Sequence, residues 1–143
     1  MKILLAVDHS EYSEAAAHAL IAQIRTEGTE VAILHAIELS LADFESRQTF
    51  ESSRRARLKT ATELVDRFAA ELNSAGYATK PAVEEGDAKE AILNFAERWK
   101  PDVIFVGSHG RRAFKRLTLG SVTEAVARHA SCSVEIVRVP AHK

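Results

Sequence analysis

The chain has 143 residues, with 19 Lys and Arg against 20 Asp and Glu for a formal charge of −1, and a single cysteine. This length can bury most of its apolar surface around one core without disulfide or metal staples, so a single domain over 1–143 is expected. Balanced, well-mixed charge excludes a chain-wide basic field able to hold nucleic acid or anionic lipid. The lone Cys132 likewise excludes an internal disulfide framework and a multi-thiolate metal site.

The opening "MKILLAVDHS" has one Lys and a short apolar run, but the run ends at Asp8 with no following h-region or small-residue cleavage site. No stretch approaches the roughly 20 apolar residues that span a bilayer, and a cytoplasmic protein is expected. "KILLAVD", Lys2 to Asp8, reads as a strand covered on both faces. A helix should follow, with Ser10 at its start, Ala15, Ala16, Ala17, Ala19, Leu20, Ala22 and Ile24 favouring it, and Gly28 stopping it. "VAILHAI", Val31 to Ile37, repeats the buried-strand pattern, and Glu38 to Ser46 is a loop.

From Arg47 to Ala75 the apolar positions Phe50, Leu58, Ala61, Val65, Phe68 and Leu72 form one helical stripe, with Gly76 placed to end it. "ATKPAVEE" is a third strand, and Pro81, which cannot donate to a ladder, puts it at a sheet edge. Asp87 and Glu90 form a capping signal for a helix lined by Ile92, Phe95, Ala96 and Trp99 and broken by Pro101. "DVIFVG" is the most uniformly apolar strand and hence central. A last helix from Ser121 to His129 should turn Val122, Ala125, Val126 and His129 to one side, before a less buried strand, Val134 to Val139. Five strands separated by helical segments specify an α/β sheet, mostly parallel, with helices on both faces.

Between the central strand and the last helix lies "GSHGRRAFKRLTLGS", Gly107 to Ser121, which holds three of the six glycines and no acidic residue. Ligands of open α/β sheets bind outside the carboxyl ends of strands, where strand order reverses. Gly107 and Gly110 are expected to turn the backbone with φ > 0 and bring amides to a ligand, while Gly120 and Ser121 open a helix whose first amides attract an anion. Arg111, Arg112, Lys115 and Arg116 could add charge for a polyphosphate. A solvated loop followed by a Ser121/Glu124 capping box accounts for the same letters. The stretch lacks P-loop spacing, and "DHSEYS" after the first strand has no dinucleotide-binding glycines.

Gly107, Gly110, Gly120 and Ser121 stand in the G-x2-G-x9-G-[ST] spacing. With "AVDHSEYS", "LHAIE", "GDAKEAI" and "GSVTEAVARHASCSVEIVRV", this spacing makes essentially the whole chain resemble the ATP-binding branch of the universal stress proteins. The resemblance implies a Rossmann-like sheet of five strands in the order 3-2-1-4-5, with ATP in the crevice where that order reverses. Carried over by position, Asp8 would meet the nucleoside, and Ala36, where the family often has Val, would face adenine through its backbone. Val106, Gly107, His109 and Gly110 would line ribose and phosphates, and Gly120, Ser121 and Val122 would hold phosphates. Mg or Mn would bridge the phosphate oxygens. The family usually forms a homodimer through its last strand, and an exposed edge there needs protection. The chain departs from the family at Ala88, where Pro is common, and at Ser131 and Ser133, where two prolines are frequent. These departures bear on local rigidity and on the partner surface.

The expected role is therefore a nucleotide-dependent signalling module in the stress response, with an unidentified protein partner. The alternatives are a slow ATPase or autokinase, with Ser108, Thr118 or Ser121 as acceptor, and a nucleotide-free member acting through protein contacts. Asp8 could also cap a helix. Ser108 and His109 are not expected to form a nucleophilic pair, because neighbours on a loop rarely point at each other. His35 reads as a core or strand-end residue, and without an H-E-x-x-H pattern no protein-held metal is expected. Cys132 should be buried and inert, and "SSRRARLK", Ser52 to Lys59, a solvated helix face.

Overall fold

The computed structural model describes residues 1–39, 44–110 and 119–139. Five strands, β1 (Lys2–Ala6), β2 (Glu30–Ile37), β3 (Ala78–Glu85), β4 (Val103–Gly107) and β5 (Ser133–Val137), alternate with helices α1 (Glu11–Gln23), α2 (Arg47–Ser74), α3 (Ala88–Trp99) and α4 (Ser121–His129). All pairings are parallel and the order is β3-β2-β1-β4-β5, as expected. Pro81 lies on the edge strand β3, opposite Ile33. Strand β4 lies inside the sheet between β1 and β5, where its apolar run is covered on both faces.

Alternation along the strands sends side chains to two cores. Ile3, Leu5, Val31, Ile33 and Phe105 pack with Ala16, Ala17 and Leu20 of α1 and Leu64, Val65, Phe68 and Leu72 of α2. Leu4, Ala32, Leu34, Ile104 and Val106 pack on the other face with Ile92 and Phe95 of α3 and Val126 of α4. The first two crossovers thus cover one face and the last two the other, so the reversal falls between β1 and β4.

Helix α2 ends as its glycine predicts. Gly76 has φ +108°, its amide reaches Asn73 O at 2.9 Å, and Tyr77 N reaches Leu72 O at 3.0 Å, the two bonds of a Schellman turn. The buried stripe of α2 begins only at Ala61, while Phe50 packs edge-on to Phe44 with ring centroids 5.5 Å apart. Helix α1 ends earlier than expected. It stops at Gln23, and Gly28, at φ +69°, belongs to the turn into β2. The reason is Tyr77, whose buried hydroxyl donates to the carbonyls of Ile24 and Leu20 and so satisfies the helix end that a glycine would otherwise close. On α4 the buried positions are Thr123 and Val126, and His129 is exposed instead of lining the apolar side.

Two of the three arginines in Ser52 to Lys59 do more than face solvent. Arg54 forks onto Glu85, with Nε to Oε1 at 2.5 Å and Nη2 to Oε2 at 3.2 Å, and Arg57 donates to Glu38 O at 3.3 Å. They tie α2 to the carboxyl ends of β2 and β3. The family-atypical residues also make bonds that proline could not. Ala88 N donates to Glu38 Oε1 at 2.9 Å, and Ser131 Oγ donates to Glu97 Oε1 at 2.7 Å.

Asp87 caps α3 as predicted, accepting from Glu90 N at 3.2 Å. Burial pushes its carboxyl up, but the Glu90 amide and Lys89 outweigh this and hold it below the usual carboxylate range. Asp87→Ala should cost about 1 kcal/mol in urea unfolding at neutral pH. Because the folded pKa is lowered, the ionic part of this stabilisation is present above the ordinary carboxylate range. The difference from wild type should shrink as acid carries the pH through the lowered value.

Candidate functional site

The carboxyl ends of β1 and β4 diverge into two loops that meet across the reversal of strand order. Asp8 ends the first loop's approach. Its Oδ1 accepts from Ser10 N at 2.9 Å, Ser10 Oγ at 2.5 Å and Ser13 Oγ at 3.0 Å, while its own amide donates to Ser13 Oγ at 2.8 Å. Ser10 occupies the cap position of α1, yet its side chain makes no cap bond, having turned to Asp8. Asp8 therefore braces the turn that leads into α1 without capping one of its first amides, which corrects the capping alternative, and it also stands at the crevice: its Oδ2 lies 3.0 Å from where a side chain at Gly110 would begin.

The glycines are required here for closeness rather than for φ. Among the described residues only Gly28, Gly76 and Gly86 are glycines with positive φ, so the expected left-handed turn at Gly107 and Gly110 is not present. At Gly107 a Cβ would meet Tyr12 Cβ at 2.6 Å and Tyr12 O at 2.9 Å; at Gly120 it would meet His109 Cα at 3.1 Å. Gly107 thus admits α1 onto β4, Gly110 admits the Asp8 carboxylate, and Gly120 brings the start of α4 against the β4 loop. Gly120 N donates to Ser108 O at 2.9 Å, closing the loop at its base, and Ser108 N donates to Val137 O at 2.8 Å.

Gly120, with φ −63°, is itself the cap residue of α4, and Ser121 is the first residue inside the helix. This corrects the capping box read from Ser121 and Glu124. A glycine at the cap offers no side chain to the first amides, so their partial positive charge is left for another acceptor. Ser121 is exposed and Val122 half-buried, while Val106 is buried beneath them. Ala36 is half-buried near the end of β2, paired with Glu84. Asp8, Val106, Gly107, His109, Gly110, Gly120, Ser121 and Val122 are thus gathered around the ends of β1 and β4 and the start of α4, with Ala36 at the neighbouring end of β2. Arg111 and Arg112, with Lys115, Arg116 and Thr118, lie outside the described residues.

Ser108 and His109 do point at each other: Ser108 Oγ and His109 Nδ1 are 3.0 Å apart. The two side chains are nevertheless only 2% and 7% exposed, and the Tyr12 ring sits 5.2 Å from the imidazole. With both residues this buried, the contact reads as bonding within the loop rather than as a nucleophilic pair. His35 Nδ1 bonds Val7 O at 2.7 Å, a strand-end role as expected. Cys132 is half-buried instead of buried, and burial pushes its thiol up, with Asp102 and Glu97 adding to the rise.

Sequence reasoning missed Ser13, Tyr12 and Thr123. Thr123, buried, donates to Gly107 O at 2.7 Å, so α4 holds the end of β4 through a hydroxyl that an apolar stripe does not signal. Ser13 is visible only as a second hydroxyl five residues beyond Asp8.

An open parallel α/β sheet with helices on both faces and its strand order reversing between β1 and β4 defines a Rossmann-like domain. The model of the universal stress protein family matches residues 1–138, and the chain belongs to that family. The chain is 30% identical to the universal stress protein MJ0577 of Methanocaldococcus jannaschii, covering 96% of this chain and 94% of the relative. A solved structure of MJ0577 superposes with TM-score 0.89 at 28% identity over 99% and 97% of the two chains. A family member from Arabidopsis thaliana with AMP bound gives TM-score 0.74 at 21% identity, covering 99% of this chain and 93% of that one. A universal stress protein in complex with cAMP gives 0.67 at 18%, covering 96% of each chain. No helix among the described residues is long and apolar enough to cross a membrane.

Gly107→Ala should destabilise the protein by about 1–3 kcal/mol in urea unfolding without any nucleotide, because the clash is with the body of α1. Gly110→Ala should cost less, since its close neighbour is a side-chain oxygen able to move.

Proposed function

We propose that the chain binds ATP in the crevice between β1 and β4, with Mg or Mn held through the phosphate oxygens, and acts as a nucleotide-dependent signalling module in the stress response. The observation that carries this reading is the start of α4: Gly120 at the cap, bonded to Ser108 O, gives the amides of Ser121 and Val122 no cap side chain beside the carboxyl end of β4. That arrangement suits phosphate. Arg111 and Arg112 supply the further charge that a triphosphate needs. Asp8, already oriented, suits a nucleoside hydroxyl, and the small side chain of Ala36 leaves room for a base against the backbone. The AMP-bound and cAMP-bound relatives support an adenine nucleotide. The metal ion would neutralise phosphate charge.

The output would be read by a protein partner through a surface that changes with the phosphates. We also propose a homodimer formed by β5, which among the described residues pairs with β4 alone and ends the sheet. The lone half-buried thiol suits a cytoplasmic setting.

Calorimetric titration with Mg-ATP should show saturable binding that Gly110→Val and Asp8→Ala each weaken by about tenfold or more, the loss of a well-made polar contact. No binding at millimolar nucleotide would overturn the reading. Phosphate release well above background, lost in the same variants, would instead make the protein an ATPase. Sedimentation at micromolar concentration should give a dimer, and a monomer there would remove the β5 interface.

A further inference from the structure

Away from the β1–β4 crevice, three side chains from two helices converge. Glu14 and His18 are four residues apart on α1 and so lie on one face of it. Glu71 of α2 approaches them, with Oε1 3.3 Å from His18 Nε2. One donor atom from each of the three residues lies within 4.8 Å of the others. The helices that carry them are fixed: Ala17 and Leu20 of α1 share a core cluster with Phe68 and Leu72 of α2, and Tyr77 anchors the end of α1.

We propose that Glu14, His18 and Glu71 form a surface site for a divalent transition-metal ion, zinc in particular. A tetrahedral zinc with bonds of about 2.0–2.2 Å holds its ligand atoms about 3.4 Å apart. The His18–Glu71 pair already has this separation, and Glu14 closes the remainder by a side-chain rotation. One imidazole with two carboxylates suits zinc, whereas magnesium and calcium take oxygen ligands. With a neutral imidazole the three ligands carry two negative charges, matching a divalent ion. Relative exposures of 67% for His18, 32% for Glu71 and 36% for Glu14 leave the site open on one side to a hydrated ion and to a water as fourth ligand. The competitor is Arg67, whose Nη1 lies 2.5 Å from Glu14 Oε1 and whose guanidinium lies 4.9 Å from the Phe68 ring centre. Metal binding exchanges that ion pair for a metal–carboxylate bond. The inference departs from the sequence-based expectation of no protein-held metal, which rested on contiguous motifs; here the third ligand comes from another helix.

The test is calorimetric titration of untagged protein with zinc chloride in a non-chelating buffer free of nucleotide. Wild type should bind one equivalent. His18→Ala, at an exposed position, and Glu71→Gln, at a half-buried one, both checked for folding by circular dichroism, should each weaken binding by about tenfold or more. Arg67→Gln should bind at least as tightly as wild type, a sign opposite to that of general disruption. Absence of saturable binding at submillimolar zinc would overturn the proposal, as would equal affinity in wild type, His18→Ala and Glu71→Gln, which would assign the ion to other groups.

Discussion

Backbone comes against backbone where β1 and β4 part, and that closeness governs the surrounding structure. Helix α1 can lie on the end of β4 because Gly107 presents no Cβ to Tyr12, whose own Cβ and carbonyl already fill the space. Once α1 is there, the Tyr12 ring closes over His109 and Ser13 reaches Asp8. Gly110 leaves room for the Asp8 carboxylate, and Gly120 lets α4 begin against His109. Each contact is a dispersion-scale interaction, but a misplaced methyl at 2.6 Å lies on the repulsive wall, so sterics decide the geometry and hydrogen bonds then hold it.

Hydrogen bonds lock this arrangement from several elements. Thr123 of α4 holds Gly107 O, Val137 of β5 receives Ser108 N, and Ser108 O receives Gly120 N, so the last strand, the last helix and the β4 loop share one network. On the opposite side of the sheet, Arg54 and Arg57 brace α2 against the ends of β3 and β2. The exposed Arg54 pair is worth little by itself. Its importance is positional, since it lies at the carboxyl edge of the sheet, where Glu38 also receives Ala88 N.

The strands were legible in sequence because continuous apolar runs have one economical interpretation, burial on both faces, and Pro81 ranks its strand at the edge. Gly76 was legible because a Schellman turn is local. What failed was whatever depends on a distant partner. Gly28 looked like a helix stop until Tyr77, far along the chain, was seen to close α1 earlier. Gly107 and Gly110 were read as left-handed turns and serve close contacts instead, because their letters do not distinguish the two, whereas Gly120 does open the start of α4. Thr123 and His129 exchanged places because a hydroxyl that bonds Gly107 O is buried more readily than an imidazole at a helix end. Glu14, His18 and Glu71 come together only through the packing of two helices.

Asp8 shows how the fold prepares a site. A carboxylate at a strand end would normally sample several rotamers in water, and a ligand that used it would have to bear the cost of ordering it. Here one oxygen is held by Ser10 N, Ser10 Oγ and Ser13 Oγ, and Ser13 Oγ is in turn engaged by Asp8 N. The orientation is thus set by the start of α1, and α1 is itself set by the fit of Tyr12 against Gly107. The second oxygen is directed toward Gly110. The bonds that brace the turn into α1 thus hold the same carboxylate whose other oxygen lies beside Gly110.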